Sequence, residues 1–212
     1  MNVEAYLRRI NYTGSIEPTA QTLRDLQVAH LKTVPFENLS IHAGEPIVLE
    51  GEALYKKIVE QRRGGFCYEC NGSFAGLLRA LGFQVEMLAA GVANRQGGFG
   101  PVFDHMALAV TLDERWLVDV GFGDSFLKPL LLDSREVQVQ GTQSFRIDED
   151  GDYLILLRRN EGRTGSRSTV LHANHSASLT TKRCVASTKP LPNHTSHKTL
   201  SALESLKTDE SH

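Results

Sequence analysis

No apolar run in the chain approaches the ~18 residues that a membrane-spanning helix requires, and the first fourteen residues lack the apolar centre of a secretory signal. Neither sign of charge is in excess. Lys and Arg number 23 against 25 Asp and Glu, a formal net charge of -2, which suggests neither a nucleic-acid nor an anionic-membrane partner. Cysteine is scarce, at three in 212 residues. An odd number without an export signal argues for free thiols in a reducing, cytoplasmic compartment. Several bulky residue types are missing from one region. Residues 161–212 hold nine Ser, eight Thr and five His, but no Phe, Tyr, Trp, Ile or Met. So little apolar surface cannot offset the entropy of ordering a chain, and this stretch reads as a disordered, low-complexity tail.

Ahead of that tail the apolar residues follow two periods. Tyr6, Leu7 and Ile10 predict a short helix over 3–10, closed by the turn-like Asn11-Tyr12-Thr13-Gly14. Pro18-Thr19 opens a second, with Leu23, Leu26 and His30 near one face, so that His30 reads as a core or rim residue. Pro35 ends it, because the residue before a proline is disfavoured in the helical region. That leaves Pro35-Phe36-Glu37-Asn38-Leu39 as a loop. A third helix spans 51–62, and a fourth begins at Cys67, with Cys70, Asn71, Phe74, Leu77, Leu78 and Leu81 at three-and-four spacing. Gly82 stands where a glycine stops a helix. Beyond it Phe83-Gln84-Val85-Glu86-Met87 alternates as a half-buried strand does. Short strands follow over 103–111, 115–120, 127–132, 136–140, 143–147 and 152–159, with Asp150-Gly151 as a hairpin turn. The pattern predicts an α+β protein: a helical bundle over 1–82, an antiparallel β-barrel or curled sheet over 83–160, and the tail over 161–212.

The chemistry centres on Arg62-Arg63-Gly64-Gly65-Phe66-Cys67-Tyr68-Glu69-Cys70-Asn71-Gly72. A cysteine in the first turn of a helix faces unpaired backbone N–H groups and the positive end of the dipole. Such a place favours the thiolate over the thiol, whose unperturbed pKa is about 8.5. A buried structural cysteine at a helix start would look the same in sequence. A nucleophilic cysteine further needs a base, and the base needs a third group to orient it. His105 opens the strand Met106-Ala107-Leu108-Ala109-Val110, and Asp119 closes the next one. In a hairpin centred near residue 112, His105 lies opposite Asp119, and a slightly displaced turn leaves both on one face. An aspartate among Trp116-Leu117-Val118 and Val120 requires a partner, which His105 can supply. The glycine-rich Asn94-Arg95-Gln96-Gly97-Gly98-Phe99-Gly100-Pro101 lacks the lysine and spacing of a phosphate-binding loop.

Four ordered motifs resemble the arylamine N-acetyltransferase family: Val34-Pro35-Phe36-Glu37-Asn38-Leu39, Arg63-Gly64-Gly65-Phe66-Cys67-Tyr68-Glu69, Asp104-His105-Met106 and Val118-Asp119-Val120-Gly121-Phe122-Gly123. The resemblance runs from about residue 3 to 159. It implies a papain-like triad with Cys67 as nucleophile, His105 as base and Asp119 as orienter. It also implies a ping-pong reaction in which acetyl-CoA, a co-substrate and not a bound cofactor, acetylates Cys67, and an arylamine or hydrazine takes the acetyl group. Phe36 and Phe122, with Gly121 and Gly123 beside the latter, are implied in substrate binding. Arg63 is implied to pair with Glu37 and to brace the nucleophile's loop.

Two departures leave rival readings. Cys70 stands where the family resemblance implies a glutamine or an aliphatic residue. Cys67 and Cys70 in C-x-x-C spacing fit a redox dithiol, although the βαβ context of that fold is missing. The same pair with His172 and His175, or His194 and His197, has zinc-ligand residue types, although the histidines lie in the low-complexity tail. No metal site is expected. The tail itself matches nothing of the family's third, lid-like domain. Function therefore divides between a competent acetyltransferase and a catalytically impaired, truncated or frame-altered remnant of one.

Overall fold

The computed structural model describes residues 1–94, 98–101, 103–160 and 167–172, with the backbone alone for residue 160 and for 167–172. The first two helices start where a side chain can take up an unpaired N–H. Asn2 caps α1 (Val3–Arg9) by accepting from the Ala5 N–H at 3.0 Å. Thr19 does the same for α2 (Ala20–Thr33), accepting from the Thr22 N–H at 3.2 Å. The second helix ends at Val34, in extended conformation ahead of Pro35, as the sequence predicts. The predicted loop at 35–39 is shorter than expected, because Leu39–His42 forms one further turn, α3. The third predicted helix is split: α4 (Gly51–Tyr55) runs directly into a π-helical turn, Lys56–Glu60. Last comes α5 (Cys67–Ala80), beyond which Gly82 has φ +91°.

Buried Arg9 ties these pieces together. Its Nε donates to the Ile58 carbonyl at 2.8 Å, Nη1 to that of Thr33 at 2.8 Å and Nη2 to that of Arg63 at 3.2 Å. One guanidinium thus closes the end of α2, the π turn and the segment leading to α5 onto α1. Tyr6, Leu23, Leu26, Phe74, Leu77 and Leu78 form the core between the helices, and Leu108, Val110, Val118 and Val120 from the sheet complete it.

The strands are β1 (Gln84–Val92), β2 (His105–Thr111), β3 (Arg115–Val118), β4 (Leu130–Leu131), β5 (Gln138–Gln140), β6 (Gln143–Asp150), β7 (Tyr153–Asn160) and β8 (Arg167–His172). They form one antiparallel sheet in the order β4-β3-β2-β1-β8-β7-β6-β5. The expected closed barrel is not found among the described residues. The two edge strands, only two and three residues long, share no backbone ladder. Glutamine side chains bridge them instead. Gln138 of β5 both accepts from the Leu131 N–H at 2.7 Å and donates to its carbonyl at 3.0 Å. Gln140 accepts from the N–H groups of Leu127 and Lys128. The result is a curled sheet whose edges meet through amide side chains.

The expectation of an irregular segment from 161 onward also needs correcting. Residues 167–172 are β8, paired with β1 on one side and β7 on the other. Thr169, Val170 and Leu171 give this run β-branched and apolar character, as a central strand requires. Composition averaged over 52 residues hides so short a strand. The expectation for 161–166 and 173–212 lies outside the described residues. No described helix is long and apolar enough to cross a membrane.

Candidate active site

Cys67 is the first residue of α5, buried to 7% exposure. It faces the hairpin of β2 and β3, whose register pairs Leu108 with Val118. Continued past the end of β3, that register sets Asp119 across from Ala107, two residues from His105 and on the same face of the sheet. The sequence placed this hairpin one residue too early, and the alternation of strand side chains makes the error harmless. His105 Nε2 lies 2.7 Å from Asp119 Oδ2, with both side chains almost wholly buried. Burial works against a charged imidazole here. The Asp119 carboxylate and the hydrogen bond to the Cys67 thiol outweigh it, and the His105 pKa is raised to about 10. With Nε2 engaged by Asp119, Nδ1 is the nitrogen left to face the sulfur.

Asn71 completes this arrangement, and the sequence reading saw it only as part of a helix face. One turn after Cys67, its Nδ2 donates to Asp119 Oδ1 at 2.9 Å and to the Met106 carbonyl at 2.7 Å. Its Oδ1 accepts the Val120 N–H at 2.9 Å. Asp119 Oδ1 also accepts from the Gly121 N–H at 2.8 Å. The carboxylate is therefore held by three donors of different origin. A signal did exist in the sequence: a polar residue at i+4 from Cys67, on an otherwise apolar face, has to find partners.

Gly121 is needed for its close approach to the helix. A Cβ there would fall 2.6 Å from the Cys67 Cα and 2.9 Å from its carbonyl oxygen. Phe122 then turns its ring edge-to-face toward His105, with centroids 5.1 Å apart. Gly123 has φ +85° and lies against the Phe36 ring. Phe36 itself is about half exposed. A cavity of about 180 Å³ opens beside this loop, lined by Asp119, Phe122, Gly123, Ser125, Phe126 and Leu31 among others. The loop's far end is anchored by the buried Arg158 of β7, whose guanidinium donates to the Asp124 carbonyl at 2.7 Å and its carboxylate at 3.0 Å.

The expected pair between Arg63 and Glu37 is present, with Nη2 2.9 Å from Oε1. The Glu37 carboxyl would be raised by burial. The Leu39 N–H, Lys57 and Arg63 instead hold it below the usual carboxylate range. Backbone contacts reinforce the brace: Glu37 N–H donates to the Gly65 carbonyl at 3.0 Å, and Gly65 N–H to that of Pro35 at 3.3 Å. Gly64 permits this, since a Cβ there would meet the Pro35 oxygen at 2.0 Å. Arg63 is one-third exposed, so this is a partly solvated pair. Lys57, which the sequence reading did not single out, lies deeper, bonded to both Glu69 carboxylate oxygens at 2.8 Å.

Chemically, this is a helix-start thiol, an imidazole and a thrice-held carboxylate in series, shielded from bulk water. The redox reading fares poorly beside it. Cys67 and Cys70 are both free, and the Cys70 thiol is turned away toward the Gly65 carbonyl at 3.1 Å. Burial, with Glu69 second, pushes the Cys70 pKa up to about 12, so it is held as a thiol. The zinc reading has no support among the described residues, which contain no cluster of three or more candidate ligands. The side chains of His172, His175, His194 and His197 lie outside those residues.

Comparisons with known proteins agree with one another. A family model described as N-acetyltransferase matches residues 19–204, beyond the point at which the motifs end. An arylamine N-acetyltransferase of the pineal gland of Gallus gallus is 39% identical over 168 residues, covering 76% of this chain and 58% of that protein. The chain thus spans less than two-thirds of that relative's length. The solved arylamine N-acetyltransferase of Mycobacterium marinum superposes with a TM-score of 0.78 at 35% identity, covering 87% of this chain and 69% of its own. The same enzyme solved in complex with CoA gives 0.71 at 37% identity, covering 80% of this chain and 64% of its own.

Proposed function

Because the chain belongs to the arylamine N-acetyltransferase family, we propose that it moves an acetyl group from acetyl-CoA to an arylamine or hydrazine through an acetylated Cys67. The observation that carries this reading is the buried pair of His105 and Asp119, closed at 2.7 Å, beside Cys67 at the start of α5. In the first half-reaction the Cys67 sulfur attacks the thioester carbonyl. A new carbon–sulfur bond forms, first-turn N–H groups of α5 face the developing oxyanion, and CoA leaves as a thiol with the proton that His105 carried. In the second, the amine nitrogen attacks the acetyl-cysteine. His105 takes the amine proton, and the Cys67 thiolate departs.

Each residue has a place in this scheme. Asp119 keeps the imidazole oriented and offsets its charge, which the raised His105 pKa reflects. Phe122, over the His105 ring, and Phe36, against Gly123, flank the entry for a flat aromatic acceptor. Gly121 and Gly123 let the loop come close enough to do so. Arg63 and Glu37 brace the turn that leads to Cys67. The relative solved with CoA supports acetyl-CoA as the donor. Free Cys67 and Cys70 thiols fit a reducing cytoplasm.

The test is acetyl-CoA-dependent acetylation of an arylamine by the full chain, with Cys67→Ala as control. The expected result is release of one CoA per acetylated amine and a trapped acetyl group on the Cys67 peptide when acceptor is withheld. A folded chain that neither takes up acetyl nor turns over would be the impaired remnant.

A further inference from the structure

The charged groups around the start of α5 are paired. Lys57 and Arg63 face Glu37 and Glu69, with the half-exposed Glu45 at the rim beside Arg63. Glu69 is the third residue of α5, and its Oε2 accepts the N–H of Phe66, the residue just before Cys67. A carboxylate there stabilises the helix by occupying its positive end. It also sets a buried negative charge two residues from a sulfur that must itself become negative. The Lys57 ammonium sits on both oxygens of this carboxylate at 2.8 Å, and neither side chain is much exposed, at 13% and 5%. The chain abandons α geometry at this point: the Gln61 N–H reaches the Lys56 carbonyl, the wide spacing of a π turn, and the Arg63 N–H reaches the Lys57 carbonyl just beyond it. Such turns are uncommon and gather at functional sites. This one carries Lys57, whose ammonium lies inward on Glu69.

We propose that Lys57 is a positioning residue that neutralises Glu69, so that the carboxylate can cap α5 without suppressing ionisation of Cys67. The inference rests on Cys67 being the reacting group. Facing the same turn are Cys70, which is held as a thiol, and, across the hairpin, His105 and Asp119, which form a pair of their own. Removing Lys57 leaves the Glu69 carboxylate without its nearest counter-charge beside the sulfur. Removing the Glu69 charge leaves the Lys57 ammonium without its nearest one.

The test is the pH profile of Cys67 alkylation by limiting iodoacetamide on the full chain, without acetyl donor, with peptide fragmentation separating Cys67 from Cys70. Lys57→Gln is expected to move the midpoint up by about one pH unit, roughly tenfold slower labelling below it. Glu69→Gln is expected to move it down, Lys57→Gln with Glu69→Gln to return it near the wild type, and Lys57→Arg to leave it in place. Loosened packing would move both single variants in the same direction. Shifts of equal sign, or none, therefore overturn the proposal. If Lys57→Gln does not fold, Glu69→Gln carries the test alone, and a midpoint at or above the wild type overturns it. Turnover measured in parallel keeps the two proposals apart. Opposite shifts without acetyl transfer would defeat the proposed function and leave this role standing, whereas transfer with unmoved profiles would do the reverse.

Discussion

Two buried histidines lie in opposite halves of the molecule, and their pKa values move in opposite directions. His30, on α2 in the helical core, hydrogen-bonds Tyr6 through Nδ1 at 3.3 Å and meets the Phe74 ring edge-on. Its Nε2 has no hydrogen-bond partner among the described residues. Burial, and Arg9 second, lower its pKa to about 3. His105, at the start of β2, is as deeply buried but has Asp119 at 2.7 Å, and its pKa is raised to about 10. Depth does not distinguish a histidine kept neutral from one kept charged. A carboxylate with its own set of donors does, because it alone keeps the imidazole charged away from water.

The largest effect that could break this contrast is on turnover. Asp119→Asn should lower acetyl transfer by about 10³–10⁴, since the amide cannot hold the imidazole in the same state. His30→Gln should leave transfer near the wild type. Steady-state kinetics on both variants decide it, and comparable losses would mean that the two histidines do not differ in the way proposed.

Next in size is the support for that carboxylate. Asn71→Ala would leave the Met106 carbonyl and the Val120 N–H unpaired and remove one donor from Asp119. The expected loss of stability is about 2–4 kcal/mol, from buried polar groups left unmet. Urea unfolding measures it. A loss under about 0.5 kcal/mol would show that other groups take over these bonds.

What could be read in the sequence divides along the same line. Helix starts, the stop at Gly82 and the facing of His105 and Asp119 were legible because they follow from local periodicity. Alternation preserved the face even where the register was off. The roles of Asn71 and Lys57 were not legible. Asn71 gains its partners from a hairpin 35 and 48 residues away. Lys57 finds its partner Glu69 on the next helix, a pairing that no helical spacing announces. Strand β8 was hidden for a related reason. Its two partners, β1 and β7, are set by sheet order, which local pattern does not encode. The open edges bridged by Gln138 and Gln140 could not be told from a closed barrel, since both come from similar short strands.

The alkaline side of the stability profile sharpens the comparison further. The native pKa of His105, about 10, lies above its unfolded value near 6.5. Its pairing therefore adds stability that is fully present below about pH 6.5 and fades as pH rises through about 10. Thermal unfolding between pH 7 and 10 should show the wild type losing ground to its own neutral-pH value. Asp119→Asn, which lacks the partner, should give a flatter limb. Parallel slopes would mean that Asp119 does not hold the proton on His105.

The smallest effect is expected on the acid side, and there the sign is reversed. The native pKa of His30, about 3, lies below its unfolded value, so the unfolded chain takes up a proton that the native chain refuses. Stability from keeping His30 neutral is present above about pH 6.5 and is lost as pH falls toward 3. The slope from one such group is at most about 1.4 kcal/mol per pH unit, and carboxylates elsewhere contribute slopes of their own. A variant is therefore needed to isolate it. His30→Gln retains a group able to bond Tyr6 but does not titrate in this range. It should cost stability at pH 7, because a shorter and less rigid side chain meets Phe74 less well. Between pH 6.5 and 4 the gap to the wild type should narrow, since the variant has no imidazole to protonate on unfolding and the carboxylate slopes cancel in the difference. Denaturant unfolding at half-unit steps over that window reads the gap directly. A gap that stays constant would show that His30 accepts a proton in the native state, which would place a charge in the helical core and remove the distinction between the two halves.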